Sequence, residues 1–182
     1  MAKSIPDLLS FLDKVVDPRF VDHSGVLEEA GKTDRGKAFK MQRVLDTYGY
    51  DHRLFRFDLP RINLFPYFAK TSGLSKICDY ILFVQEADVL HVLLFELKFG
   101  TESATQQLHA AEIFADYLLR SASRVGLFSM DSRIQKRKFR VSEERAKQRN
   151  RLTKVGPPTP DENDIYNLDH AVKIRIKELL EL

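Results

Sequence analysis

The stretch from Cys78 to Gly100, CDYILFVQEADVLHVLLFELKFG, constrains the fold more than any other part of the chain. Two apolar runs flank a short polar break. Both are rich in β-branched and aromatic residues, and both carry apolar side chains at consecutive positions, the pattern of strands buried on two faces. Asp79 interrupts the first run; Glu96 and Lys98 interrupt the second. A lone charge is costly to bury unless it is paired or bound to a metal, so these three residues require an explanation.

Strand geometry supplies one. Side chains alternate, so Glu96 and Lys98 share a face. A hairpin turn between Ala87 and Asp88 sets Asp79 directly across from Glu96. Facing carboxylates repel one another, and they suit a hard divalent cation such as Mg2+ (or Mn2+), which takes one or two carboxylates and keeps several waters. Lys98 follows on the same face. This combination fits metal-assisted phosphodiester hydrolysis: the cation acidifies a water, and the ammonium stabilises developing charge. A plainer reading makes Glu96 and Lys98 an ion pair on an edge strand. The neighbouring Leu93, Leu94, Phe95, Leu97 and Phe99 argue against so solvated a place.

Asp79, a strand-length gap, then Glu96-Leu97-Lys98 resembles the D…(D/E)-x-K signature of the PD-(D/E)XK nucleases, over roughly residues 25 to 130. The residue before the aspartate is Cys78 rather than proline. The resemblance implies Asp79 and Glu96 as metal ligands, the Leu97 carbonyl as a third, and Lys98 as the catalytic lysine. It implies a restriction-endonuclease-like α/β core, a mixed central sheet flanked by helices in the order αβββαβ. It also implies a supporting glutamine at the start of the helix after the E-x-K strand. Gln107 is preferred for that role and Gln106 is its rival; the tyrosine expected four residues later in RecB-like versions is Ala111 here. A first-helix acid often joins the metal site in this superfamily, and Glu28 and Glu29 are the candidates, with a solvated turn as the alternative.

The remaining segments are read from periodicity and breakers. Residues 4–16 predict a short amphipathic helix packing on the core or on a second subunit. Val26 to Ala30 fits one helical turn, and Asp34 to Tyr48 a longer helix burying Phe39, Met41, Val44 and Leu45. Arg35, Lys37, Lys40 and Arg43 make that helix basic. His52 to Asp58 reads as a strand. Phe65, Tyr67 and Phe68 pack a loop or stack on unpaired bases. Thr101 or Ser103 caps a helix to about Ser121, with Leu108, Ala111, Phe114 or Ala115, and Leu118 as its apolar stripe. Arg124 to Met130 reads as a fourth strand.

Residues 133–154 hold ten basic residues against Glu143 and Glu144, although the whole chain carries only +3. Arg133, Lys136, Arg137, Lys138, Arg140, Arg145, Lys147, Arg149 and Arg151 are candidate nucleic-acid contacts, gripping the backbone without reading bases. The alternative is a solvated charged face. Residues 1–155 are thus expected to form a nuclease-like domain and 156–160 a linker. Residues 161–182 are expected to form an apolar helix, with a strand as the fallback, that folds back on the core or makes a homodimer.

Length and composition allow one soluble domain with a sizeable core. One cysteine excludes an internal disulfide and fits a reducing cytoplasm. No run is long enough to span a membrane, and the N-terminus lacks a signal-peptide pattern. The expected function is that of a metal-dependent nuclease, on DNA in preference to RNA. The alternative is a non-catalytic nucleic-acid-binding or partner-binding module on the same fold.

Overall fold

The two apolar runs pair as a hairpin of β4 (Tyr80–Glu86) and β5 (Val89–Phe99). Tyr80 faces Phe95 and Glu86 faces Val89, the register anticipated above. Ala87 takes the turn at φ 51, in the left-handed region. The computed structural model describes residues 7–32, 36, 38–69, 71, 73–99, 102–143, 158–169 and 173–182.

The hairpin lies inside a five-stranded sheet ordered β3-β4-β5-β6-β7, with β3 (Asp51–Arg56), β6 (Arg133–Glu143) and β7 (Ile165–Asp169). The pairs β3/β4 and β4/β5 are antiparallel; β5/β6 and β6/β7 are parallel. A parallel neighbour needs a crossover, and α2 (Thr105–Arg124) supplies it between β5 and β6. A second sheet holds β1 (Val26–Lys32), β2 (Ala38–Asp46) and β8 (Lys173–Arg175). The fold is α/β with two mixed sheets.

Both faces of the main sheet are covered, which is why its strands are apolar on consecutive positions. On one face Ile81, Phe83, Val92 and Leu94 pack under Leu108, Ala111 and Ala115 of α2 and under Leu9, Phe11 and Leu12 near the N-terminus. On the other, Leu82, Leu93, Phe95, Leu97 and Phe139 pack against Leu27, Met41 and Leu45 of the second sheet. Each such side chain contributes about 1.5–3 kcal/mol through burial. Gly31 lets the second sheet close over the end of β5: a Cβ there would meet the Phe39 ring at 3.0 Å, and Phe39 stacks on Phe99 at 4.5 Å.

Four expectations are corrected. Residues 26–30 and the described part of 34–48 are not helical; β1 and β2 pair antiparallel there. In β2, Met41, Arg43 and Leu45 are buried and alternate with exposed positions, a period of two. Arg43 is buried because its guanidinium donates to the carbonyls of Gln42 (2.9 Å) and Ser142 (3.1 Å). Arg35 and Lys37 lie outside the described residues. Second, Arg124 to Met130 is not a strand: α2 ends there, Gly126 turns at φ 74, and Phe128 docks on Phe11 at 4.7 Å. The strand is β6, within the basic stretch.

Third, no long helix leads the strands, since β2 stands where it was expected. The succession β3-β4-β5-α2-β6 is strand, strand, strand, helix, strand. Among the described residues, α1 (Leu12–Val15), a 3-10 turn (Pro18–Phe20) and the β1–β2 pair stand ahead of it. Fourth, residues 161–182 are not one helix. They give β7, β8 and a short α3 (Ile176–Leu180), and Ile176, Leu179 and Leu180 are buried in the chain's own core. The apolar residues expected to serve a homodimer are therefore used within the chain. Of the expected linker, residues 156 and 157 lie outside the described residues, and Pro160 bridges to Tyr166. No helix among the described residues is long and apolar enough to cross a membrane.

Candidate active site

The site forms where the hairpin ends. Asp79 lies just before β4 and uses both its backbone and its side chain across the gap. Its N–H donates to Glu96 Oε2 (3.2 Å), and its Oδ2 accepts from the Leu97 N–H (2.7 Å). Glu96 Oε1 accepts from Lys98 Nζ at 2.7 Å, and both side chains are largely buried. Asp79, Glu96 and Lys98 thus share the α2 side of the sheet, as strand alternation requires. Leu97 enters through its N–H.

The third acid is Glu29. Tyr80 pins β1 to the main sheet: its hydroxyl accepts from the Glu28 N–H (3.1 Å) and donates to the Glu28 carbonyl (3.2 Å). Glu28 then points away, to Lys40 (3.3 Å) and Arg56 (3.7 Å). Glu29 points inward, and its Oε2 is buried with no hydrogen-bond partner. Two adjacent acids of one strand have opposite fates. Strand alternation gives the reason: Leu27, Glu29 and Gly31 form one face of β1, and Leu27 is wholly buried.

The electrostatics follow from burial. Asp79 is pushed well above the ordinary carboxylate range by desolvation and then by the charge of Glu96, against the Leu97 N–H bond. Glu96 is raised to about 7 by desolvation, partly offset by Lys98. Glu29 is raised by burial, against the pull of Lys98. Burial lowers Lys98, but the Glu96 bond and the surrounding acids outweigh it, so the ammonium is held. Three acids therefore sit around one cation, each holding its proton more tightly than in water.

Among the described residues, no three ligating side chains already surround one point closely enough to hold a metal. The donor set still suits a hard cation: carboxylate oxygens only, an excess of acid over base, and an orphaned buried oxygen on Glu29.

Gln107 is half-buried on the first turn of α2, and its side chain makes no hydrogen bond among the described residues. Its rival Gln106 turns the other way, where a Cβ added at Gly73 would meet its Oε1 at 3.7 Å. Ser103, rather than the N-cap residue Ala104, bonds the first turn, accepting from the Thr105 N–H.

The basic stretch divides. On β6, Lys136 pairs with Asp116 (2.9 Å) and Glu112 (3.2 Å), and Lys138 with Glu112 (3.3 Å) and Asp164 (3.9 Å). Arg137 meets His91 Nδ1 (3.3 Å) and the Leu180 carbonyl (3.3 Å). Arg140 stands across from Glu96 in the ladder and donates to the Glu102 carbonyl at 3.0 Å. Arg133 is exposed, 4.0 Å from Asp88. Lys136, Arg137, Lys138 and Arg140 thus have partners within the chain, whereas Arg133 stays open to solvent. Arg145, Lys147, Arg149 and Arg151 lie outside the described residues.

Models of known protein families give no match to this chain, and neither do curated proteins or solved structures.

Proposed function

We propose that the protein is a metal-dependent nuclease of the PD-(D/E)XK kind, hydrolysing phosphodiester bonds in DNA in preference to RNA. The observation that carries this reading is the convergence of Asp79, Glu96 and Glu29 on Lys98, one buried and two half-buried acids raised in pKa around one ammonium. The strand, strand, strand, helix, strand order around the site supports it.

Asp79 and Glu96 would hold Mg2+ or Mn2+, with Glu29 beside them. Such a cation, when bound, acidifies water and offsets phosphate charge. The chain's own residues do the rest. The Leu97 N–H and the Asp79 N–H fix how the two carboxylates point. Lys98, held by Glu96, supplies positive charge where the phosphate becomes more negative. Buried packing on both sides of the hairpin keeps these groups from relaxing.

The 2.7 Å Glu96–Lys98 pair also suits the second reading, a non-catalytic module in which the ion pair is structural. One assay separates the two. Plasmid or labelled duplex is incubated with the protein and Mg2+ or Mn2+, beside Lys98→Ala and Glu96→Gln. The nuclease reading expects cation-dependent cleavage, reduced by ~100-fold or more in either variant. Cleavage that survives unchanged in Lys98→Ala, or binding with no cleavage by the native chain, overturns it.

A further inference from the structure

A groove of about 690 Å³ runs along the outer side of α2, walled by the rings of Phe65, Tyr67, Phe68, His109, Phe114 and Tyr117. Its aromatic content is out of proportion to its aliphatic content, and its rings are open. Tyr67 is 73% exposed and Tyr117 65% exposed. They are also fixed. Phe57, in the core, meets Phe114 edge-on (78°), and Phe114 meets Phe65 edge-on (86°). Tyr67 then stands at 79° to Phe65 and 64° to Phe68. Perpendicular packing grips a ring by its rim and leaves a face for a further planar group.

The charge of the groove selects among partners. Among the described residues no carboxylate lines it, and Lys76 does. Lys136 and Lys138, on the strand after α2, are neutralised by Glu112 and Asp116, whereas Lys76 forms no ion pair among the described residues. One end of the groove also lies close in the chain to the candidate active site. Lys76 is three residues from Asp79, a reach of at most ~11 Å. Gln106, which lines the groove, is the chain neighbour of Gln107 on the first turn of α2.

We propose that this groove binds the unpaired bases of a single-stranded nucleic acid, with Lys76 on the phosphate between them, and leads the strand to Asp79 and Glu96. This assignment rests on the nuclease reading for its direction. Planar bases stack on open rings whatever their sequence, and an unneutralised ammonium meets the backbone. The substrate class is therefore a strand with an unpaired segment, rather than uninterrupted duplex.

Fluorescence anisotropy in EDTA tests it without cleavage. The probes are a fluorescein-labelled oligothymidylate, an abasic strand of the same length, and a blunt duplex. The full chain is compared with Tyr67→Ala/Tyr117→Ala and with Lys76→Ala, whose melting temperatures confirm folding. The double variant is expected to bind oligothymidylate between roughly five- and a hundredfold more weakly. The abasic strand should show the same loss with the native chain, and Lys76→Ala should lower the salt slope by about 0.7. Unchanged affinity in the double variant, equal binding of abasic and normal strands, or no binding of oligothymidylate by the native chain overturns the proposal. So does conversion of a native dimer to a monomer by the double variant, which would make the groove a contact between copies. The nuclease reading is scored separately by Lys98→Ala in Mg2+. A strand-binding groove without cleavage leaves this proposal standing and removes the other; Lys98-dependent cleavage with an indifferent groove does the reverse.

Discussion

At the end of β5, Asp79, Glu96 and Glu29 crowd around one ammonium, Lys98. On the neighbouring β6, Lys136 and Lys138 share Glu112, Asp116 and Asp164. Asp79, Glu96, Lys98 and the two β6 lysines lie on the α2 side of the same sheet, and both clusters contain lysines and carboxylates, yet their protons behave oppositely. Burial raises Glu112 as it does Glu96, but two lysines outweigh it and its pKa ends below the ordinary value. Around Lys98 the acids are in excess, and their pKa values end above it. Matched charge marks a strut between β6 and α2. Unmatched charge marks a place whose neutrality requires something from outside, a proton or a cation.

The largest expected effect tests the unmatched cluster. Glu96→Gln should cut cation-dependent cleavage by ~100-fold or more, while Glu112→Ala should leave the cleavage chemistry in place. Next comes the matched cluster. Glu112→Ala strips Lys138 of its nearest acid, and urea unfolding should show a loss of about 1–2 kcal/mol. That is less than the ~3–5 kcal/mol of a fully buried pair, because Asp164 remains and water reaches the site.

The contrast then becomes a pH dependence. A carboxyl whose folded pKa is raised favours the folded state at low pH, and that contribution is lost as pH rises through the folded value. For Glu96 the window runs from the ordinary carboxylate range to about 7; Asp79 acts in the same direction. Asp79→Asn keeps an oxygen for the Leu97 N–H and removes the charge. In EDTA at pH 8 it should melt roughly 2–6 °C above the native chain, as about 1–2 kcal/mol would produce at this size. The gain should fade toward pH 5, and Mg2+ should stabilise the native chain but not the variant. The smallest effect is expected at Arg133. Its contact with Asp88 is long and exposed, so Arg133→Ala should leave the melting temperature within about 2 °C.

The hairpin was legible because its charges interrupt runs that are otherwise apolar on both faces, and a two-residue turn leaves one register. The strands of the second sheet were not. β2 hides its alternation by placing Arg43 on the buried side, where its two terminal nitrogens donate to carbonyls, so Phe39, Met41, Val44 and Leu45 imitated a helical stripe. β6 was hidden for a related reason: its lysines at 136 and 138 share one strand face, and their partners at 112 and 116 share one turn of helix. Those two spacings, two and four, are visible in the sequence. Only the fold shows that they meet. Glu29 needed the same knowledge, since its inward direction follows from β1 being a strand pinned by Tyr80.

Cys78 adds a practical consequence. It is the chain's single cysteine, fully buried, with its thiol donating to the Tyr80 carbonyl at 3.2 Å. It is also the residue next to Asp79. A thiol reagent can modify it only after the start of β4 peels from the layers that enclose it. The modification rate under native conditions therefore clocks the local opening of this corner, with no engineered label. A divalent ion that bridges Asp79 to Glu96 should slow that clock.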